Sequence, residues 1–273
     1  MPKTIPTLCG SMMKDPFTLG VRIHTAAYRA LGLDYTFVCF GVDDVKATIA
    51  AVRTLGIRGL NVSMPYKQDV MAFLDHIDEG ATHIGAVNTI NNVNGVLTGF
   101  NTDWIGAVRA LEERTLLAGR KLALLGAGGA ARAIAYGTRR AGAIVTVFNR
   151  SAAMGRALSE AFGIEYGGTL DALDADRFSI VVNATSAGHG ASGINPAAGK
   201  LARHLLVMDI VFVPTLTPLI REAQALGCET IDGTRMLVHQ ACGQVELYTG
   251  CARAPFEAME AALLAELKRS GGG

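Results

Sequence analysis

Residues 122–132, LALLGAGGAAR, are an apolar run that leads into a glycine-rich turn. They match the pattern G-x-G-x-x-G/A and lie where it requires, between a predicted strand and a predicted helix. Gly126 allows the tight turn, Gly128 lets a pyrophosphate approach the backbone, and Ala131 lets the helix pack closely on the strand. The free N–H groups at the helix N-terminus would hold the phosphates. A turn that binds nothing is the alternative interpretation. The residues expected to contact a dinucleotide are Gly126, Ala127, Gly128, Gly129 and Ala130.

The segments around this turn alternate between strand and helix patterns. Apolar runs predict strands at 121–125, 143–148, 180–183 and 206–211. Helical spacing predicts helices at 129–141 and 152–162. Such alternation is typical of a doubly wound parallel sheet. The sequence therefore predicts an α/β fold whose middle part is a Rossmann-type dinucleotide domain.

The segments outside this middle part predict a second α/β domain. Before Lys121 we expect helices at 16–31 and 104–117, a helix capped by Asp43 or Asp44, strands at 35–40 and 57–62, and a hairpin turning at Asn94-Gly95. After Gly233 we expect helices at 236–248 and 255–268, then a frayed tail from Ser270 to Gly273. We predict two domains with a cleft between them: 1–103 plus 236–273 for the substrate, and 104–235 for the dinucleotide.

The second strand of the middle domain lacks the acidic residue that holds the ribose 2′-hydroxyl in NAD-type sites. That strand ends in Phe148-Asn149-Arg150-Ser151, and no Asp or Glu occurs from Arg114 to Ser159. An acid here would repel a 2′-phosphate, whereas a guanidinium would pair with it. NADP is therefore favoured as the cofactor, and NAD is possible. A solvated helix face is the ordinary explanation for Arg139 and Arg140.

Three clusters of short polar side chains occur in the first domain. They are NVSMPYK at 61–67, GAVNT at 85–89 and GFNTD at 99–103. The first follows a strand directly, at the carboxyl end where open α/β sheets place their ligands. Taken alone, each cluster has a structural explanation, with Lys67 as an exposed lysine and Asp103 as a helix N-cap.

The motifs NVSMPYK, GAVNT, NTD, GAGGAAR, NRS, NATS and DGxxMLVxQ resemble, in order and spacing, those of the shikimate dehydrogenase family, from about Leu8 to Tyr248. The resemblance implies that Lys67 and Asp103 are the catalytic pair. No metal site is expected, because the five cysteines form no C-x-x-C pair. It implies that the substrate is bound by Thr18, Ser63, Asn88, Asn101 and Gln240. It implies further cofactor contacts from Asn149, Arg150, Ser151, Thr185 and Gly233. The family's next arginine is Met154 here, and Arg156 is a candidate to replace it.

The activity implied by the resemblance is that of an NADP-dependent oxidoreductase. It would interconvert shikimate, or a close alicyclic hydroxy acid, and its 3-dehydro ketone by hydride transfer, within aromatic amino acid biosynthesis. Lys67 would take the alcohol proton or stabilise the alkoxide, and Asp103 would hold the ammonium. A quinate or aminoshikimate dehydrogenase is one alternative. A non-catalytic NADP-binding sensor is another, which the intact pair argues against.

Two departures from the family pattern concern the substrate. The family usually has S-x-S ahead of the histidine of its first helix, whereas here Thr18-Leu19-Gly20 precede His24. The family's tyrosine after Asp209 is Phe212. Both changes remove a hydroxyl group, and with Gly59 and the Glu246-Leu-Tyr-Thr stretch they most resemble the shikimate dehydrogenase-like subgroup. The expected activity on shikimate is therefore weak.

The amino-acid composition argues against some classes of binding partner. Half of the 273 residues are apolar, and 25 basic and 24 acidic residues leave a net charge of +1. That balance does not favour nucleic acid or an anionic membrane. No segment predicts a secretory signal or a membrane span, and five unpatterned cysteines do not predict disulfides. We expect a cytoplasmic protein, a monomer or homodimer, whose partner is a small alicyclic acid.

Overall fold

The computed structural model describes residues 5–190 and 192–270. The chain divides into two compact units, Met1–Thr102 with Val238–Gly273 (unit 1) and Asp103–Leu237 (unit 2). The first elements along the chain are β1 (Thr7–Met13), α1 (Leu19–Ala30), β2 (Tyr35–Gly41), α2 (Val45–Thr54), β3 (Gly59–Val62), β4 (His76–Ile77), α3 (Glu79–Ile84), β5 (Thr89–Val93) and β6 (Val96–Phe100). They are followed by α4 (Asp103–Glu112), β7 (Lys121–Leu125), α5 (Gly129–Arg140), β8 (Ile144–Phe148), α6 (Ala152–Phe162), β9 (Glu165–Gly168), β10 (Ile180–Asn183), β11 (Leu206–Asp209), α7 (Pro218–Ala225), β12 (Glu229–Ile231), α8 (Gly233–Thr249) and α9 (Phe256–Ser270).

The sheet of unit 1 is mixed, with strand order β2-β1-β3-β5-β6-β4. β1 is parallel to β2 and β3, and the hairpin β5–β6 joins β3 in antiparallel fashion. Asn94 and Gly95 have φ angles of 54° and 86°, which confirms the predicted tight turn. α9 packs on α1, so the end of the chain returns to the first segment.

The sheet of unit 2 is parallel throughout, with strand order β12-β11-β10-β7-β8-β9. The order reverses between β7 and β10, which makes this pair the switch point of a doubly wound sheet. Ligands of such sheets bind outside the carboxyl ends of the strands at that point. The predicted α/β fold with a Rossmann-type middle part is confirmed.

Some sequence-based predictions of elements were wrong. β1 was missed because TLCGSMM has few β-branched residues. Its position between two parallel partners gives it strand structure. The helix predicted to reach Leu117 ends at Glu112, because Leu117 is buried from a loop and not from a helix face. The strand predicted to end at Val211 ends at Asp209, whose carboxylate accepts the Val211 N–H.

The remaining predicted helices and strands have bounds within a few residues of those observed. The predicted tail of the chain is helical at Ser270, the last residue of α9, and its final three residues lie outside the described part. Among residues 5–190 and 192–270, no helix is both long enough and apolar enough to cross a membrane.

Candidate active site

The glycine-rich turn of unit 2 is open above its backbone. Gly126 follows β7 with a φ of 113°, and a Cβ atom there would lie 3.0 Å from the Ala184 carbonyl oxygen. Gly128 is extended and precedes α5, which has no side-chain cap. A Cβ atom on Gly128 or Gly129 would meet nothing within 4 Å. The backbone at the start of α5 is therefore open to a neighbouring group, as the close approach of a pyrophosphate requires.

Other predicted cofactor residues lie at the same edge of this sheet. Asn149, Arg150 and Ser151 follow β8, and Thr185 follows β10. Because parallel strands share the direction of their carboxyl ends, these residues surround the switch point. Gly233 begins α8 just after β12, and a Cβ atom there would lie 2.5 Å from the Ile210 carbonyl oxygen. A glycine is therefore required at position 233 by packing alone.

The arginines of the acid-free stretch differ in their surroundings. Arg150 is exposed and has no hydrogen-bond or ion-pair partner among the described residues. The guanidinium of Arg156 lies 5.0 Å from the centre of the Tyr166 ring. Arg114 and Arg120 line a cavity of about 310 Å³ with Arg203, at the amino ends of β7, β10 and β11. Among these residues, Arg150 is the exposed arginine that closely follows β8, at the carboxyl ends of the strands.

Asn149 and Ser151 also have structural roles. The Asn149 amide donates to the Ser151 carbonyl oxygen at 2.8 Å. The Ser151 hydroxyl is the N-cap of α6 and accepts from the Met154 N–H. These contacts fix the backbone on both sides of Arg150.

The sequence analysis did not predict a role for Asp209, which holds Thr185 in place through Asn183. Asp209 is fully buried and accepts hydrogen bonds from Asn183 Nδ2, the Val211 N–H and the Thr217 hydroxyl, at 2.7–3.0 Å. Burial raises the pKa of Asp209, and these donors oppose that shift. Asn183 Oδ1 in turn accepts from the N–H and hydroxyl of Thr185. Asn183 is the last residue of β10, and Asp209 is the last residue of the adjacent strand β11. Two polar residues at these matching positions were the sequence signal that could have revealed the contact.

The predicted substrate residues of unit 1 are connected through the backbone around Asn88. Ser63 follows β3, and its N–H donates to the Met12 carbonyl. The Val87 N–H donates to the Lys67 carbonyl at 2.8 Å, which places the backbone of Lys67 beside the segment that carries Asn88, just before β5. Asn101 is buried and donates to the Ala86 carbonyl at 3.0 Å. The three clusters of the sequence are thus adjacent in the fold.

Asn88 and Gln240 are linked directly. Asn88 is 2% exposed, and its Nδ2 atom lies 3.4 Å from Gln240 Oε1 on α8. Thr18 is not part of this group in the described contacts: its hydroxyl donates to Glu266 of α9 at 3.3 Å. Asp103 is the first residue of α4 and belongs to unit 2.

Gly59 and Tyr248, which belong to the stretches that resemble the shikimate dehydrogenase-like subgroup, are in contact. A Cβ atom on Gly59 would lie 2.2 Å from the ring of Tyr248, so the ring occupies the space of a side chain. The Tyr248 hydroxyl donates to Asn61 Oδ1 at 2.6 Å. Gly59 and Tyr248 therefore depend on each other, and together they anchor α8 on β3.

His24 is buried beside the first turn of α1. Its ring stacks on Phe37 with centroids 4.0 Å apart, and Nδ1 donates to the Gly20 carbonyl oxygen at 2.8 Å. Burial lowers the pKa of His24 to about 4, although the bond to Gly20 opposes this. The imidazole is therefore neutral in the folded protein at neutral pH.

We expect His24 to make folding pH-dependent. Below about pH 6.5 the unfolded chain takes up a proton that the folded chain accepts only near pH 4. The free energy of unfolding should therefore fall as pH is lowered through this window, by up to about 1.4 kcal/mol per pH unit. Urea unfolding at pH 7, 6 and 5 measures this loss. His24→Phe should reduce the slope, and His76→Gln, at an exposed position, should not. Equal slopes in both variants would contradict the assignment.

A doubly wound sheet with an open glycine turn at its switch point, in one chain with a mixed α/β unit, defines a two-domain dinucleotide-binding protein. The family models "Shikimate dehydrogenase substrate binding domain" and "Shikimate 5'-dehydrogenase C-terminal domain" match residues 16–90 and 233–264. The shikimate dehydrogenase (NADP(+)) of Pyrococcus abyssi is 44% identical over 230 residues, 84% of this chain and 86% of its own. A shikimate dehydrogenase-like protein of Haemophilus influenzae is 38% identical over 89% of this chain and 90% of its own.

Solved structures of related enzymes are similar to this chain along almost its whole length. Shikimate 5-dehydrogenase from Thermus thermophilus, in complex with NADP(H) and shikimate, superposes with a TM-score of 0.87 at 32% identity, covering 96% of this chain and 99% of that one. Quinate dehydrogenase from Corynebacterium glutamicum, in complex with NAD, gives 0.86 at 32% identity, covering 95% and 99%. The chain belongs to the shikimate dehydrogenase family of oxidoreductases.

Proposed function

We propose that this protein is an NADP-dependent dehydrogenase that interconverts shikimate, or a closely related alicyclic hydroxy acid, and its 3-dehydro ketone, with low efficiency on shikimate itself. Unit 1 is the substrate domain and unit 2 the NADP domain. The observation that carries the proposal is that Lys67, Asn88, Asn101 and Gln240 are tied to one region of unit 1. We further propose a cytoplasmic location and a monomeric or homodimeric state.

The open turn after β7 fits a dinucleotide. Gly126 to Ala130 would hold the pyrophosphate, and Arg150, between the fixed backbones of Asn149 and Ser151, would hold the 2′-phosphate. Thr185 would line the same edge of the sheet. When bound, NADP supplies the hydride acceptor or donor.

The protein's part in the reaction is to control a proton and a developing charge. Oxidation of a secondary alcohol releases its hydroxyl proton, which Lys67 would accept on Nζ. In the reverse direction the protonated Lys67 would give that proton to the alkoxide oxygen. Asp103 is proposed as the second member of the pair, as a carboxylate that orients the ammonium and a neighbouring substrate hydroxyl. Asn88, Asn101 and Gln240 would orient the remaining polar groups of the ring.

A panel of alicyclic acids tests the proposal. Initial rates with shikimate, quinate and an aminoshikimate, each with NADP and with NAD, separate the shikimate enzyme from its alternatives. The quinate alternative has support in the similarity to the quinate dehydrogenase of Corynebacterium glutamicum. No turnover of any acid, together with tight NADP binding, would favour the sensor and refute the proposal.

Restoring the two missing hydroxyls should improve the use of shikimate. Gly20 lies in α1 with an ordinary helical backbone, and a Cβ atom there would have an ordinary 3.6 Å contact with Phe37 Cε1. Gly20→Ser is therefore sterically allowed. A hydrogen bond to a charged group contributes about 1.5–3 kcal/mol, so Gly20→Ser with Phe212→Tyr should raise kcat/KM for shikimate about tenfold or more.

Gly20→Ala is the matched control, because it fills the same space without a hydroxyl. It should leave kcat/KM within about a factor of two of the native value. If the native protein already has a low KM and an ordinary turnover number with shikimate, the interpretation of both departures is wrong.

A further inference from the structure

A backbone group fixes the orientation of the Asn88 amide. The Thr102 N–H donates to Asn88 Oδ1 at 2.8 Å, and the Thr89 hydroxyl donates to the same oxygen at 2.6 Å. A backbone N–H can only donate, so the atom that faces it must be the amide oxygen. The other atom of the amide is therefore the nitrogen Nδ2, which donates to the Thr102 hydroxyl at 3.1 Å and lies 3.4 Å from Gln240 Oε1.

This orientation determines that of Gln240. Asn88 Nδ2 can only donate, so the Gln240 atom 3.4 Å away must be its oxygen, Oε1. Gln244 Nε2 lies 3.1 Å from that same oxygen. Gln240 and Gln244 are four residues apart on α8, which places them on one face of the helix. The Gln240 oxygen thus faces two amide donors of the protein.

Burial and hydrogen bonds fix the orientation of the Gln244 side chain. This side chain is 2% exposed, and its Nε2 atom also lies 3.4 Å from the Thr89 hydroxyl oxygen. Its own oxygen, Oε1, is buried and accepts no hydrogen bond from the described residues, and the Gln244 side chain lies beside His24, where it opposes the lowering of that histidine's pKa. Leaving a buried acceptor unpaired costs about 1–3 kcal/mol, so the orientation is imposed by the bonds that the nitrogen makes.

The consequence concerns the free end of the Gln240 amide. With Oε1 facing Asn88 and Gln244, the Nε2 group of Gln240 has no partner among residues 5–190 and 192–270. Gln240 is only partly buried, so this group remains available to a ligand. An amide nitrogen donates and does not accept, so the ligand atom it meets must be an oxygen that accepts.

We propose that Gln244 is a positioning residue that fixes Gln240 as a hydrogen-bond donor to a hydroxyl or carboxylate oxygen of the substrate. The inference rests on the proposed function only in taking Gln240 as a substrate contact. Without the Gln244 amide, Gln240 loses the nearest of the three donors that hold its oxygen inward, the others being Asn88 Nδ2 at 3.4 Å and the Thr102 hydroxyl at 3.5 Å. Its amide then samples both orientations, and one of them presents an oxygen to the substrate oxygen.

Gln244→Met tests this role, because methionine keeps the length and removes the amide. We expect KM for the accepted acid to rise about tenfold, as for one lost hydrogen bond of about 1.4 kcal/mol. KM for NADP should stay within about a factor of two. In a Gln240→Met background, Gln244→Met should have no further effect on KM, since the amide that it positions is gone. Independent, additive effects would overturn the proposal.

Three further variants test whether the effect of Gln244→Met is merely structural. Gln224→Met, on the exposed face of α7, is the matched control and should change neither KM. If Gln244→Met fails to fold, Thr89 serves instead, because its hydroxyl lies between Gln244 and Asn88. Thr89→Val should raise KM for the acid and Thr89→Ser should restore it. Equal KM values for these two variants would contradict the network.

A readout that does not depend on turnover separates this inference from the proposed function. In ¹H–¹⁵N spectra, the side-chain amide protons of Gln244 should exchange with solvent at least about tenfold more slowly than those of Gln240, because only the former are buried in hydrogen bonds. Each signal is assigned by its loss in the Met variant. Slow exchange at Gln240 and fast exchange at Gln244 would overturn the orientation, whatever acid the enzyme accepts.

Discussion

Replacing Lys67 by alanine is expected to lower the turnover number about a thousandfold with any accepted acid. The side chain is proposed to move a proton at the reacting oxygen, and a positioned acid–base group contributes about 10²- to 10⁴-fold. Lys67 follows the strand that ends at Val62, and its carbonyl is bonded to the Val87 N–H beside Asn88. The loss should therefore be in chemistry and not in folding.

Steady-state rates together with NADP binding, followed by fluorescence, measure the two parts of this prediction. NADP affinity should remain within about a factor of two, because Lys67 acts on the substrate and not on the cofactor. Lys46→Ala is the matched control, since that lysine is exposed on α2. If Lys67→Ala keeps most of its turnover number, Lys67 is a surface residue, and the sensor alternative gains support.

Arg150→Asp is expected to raise KM for NADP about a hundredfold while changing KM for NAD by less than about threefold. The variant removes charge-assisted hydrogen bonds to the 2′-phosphate, each contributing about 1.5–3 kcal/mol, and places a like charge near it. NAD lacks this phosphate, so it loses nothing by the change and can gain from an acid near its 2′-hydroxyl.

Arg203→Asp is the matched control for Arg150→Asp, because it makes the same change of charge at the amino ends of the same sheet. It should leave both KM values nearly unchanged, which separates local pairing from the overall field of the protein. Equal losses for NADP and NAD in Arg150→Asp would show that the residue supports the fold of the turn and not the 2′-phosphate.

Several elements of the fold could be predicted from short stretches of the sequence. The turn at Asn94-Gly95 needs two residues with positive φ, and the sequence supplies the pair that adopts it most readily. The stretch 121–129 leads from an apolar strand into a glycine turn and a helix, and the structure has β7 and α5 at those positions. Such features depend on neighbours in the chain, so one sequence was enough to predict them.

Structure that depends on packing against distant segments of the chain could not be predicted from local sequence patterns. β1 has an unfavourable composition for a strand, yet it lies between β2 and β3. Leu117 was predicted to be the last residue of the helix that begins near Trp104, but it is buried from a loop after α4. Periodicity reports that a residue is buried and does not report which backbone conformation buries it.

The sequence by itself determined the family motifs, the residue types that carry the chemistry and the absence of an acid where NAD would need one. Only the tertiary structure decided how those residues are used. It separated Arg150, at the carboxyl ends of the strands, from Arg114 and Arg120 at the amino ends. It joined Asn88 to Gln240 across 152 residues and brought in Gln244, which no motif had selected. The physical reason is that a side-chain hydrogen bond depends on the position and direction of both partners, and the folding of the whole unit sets these.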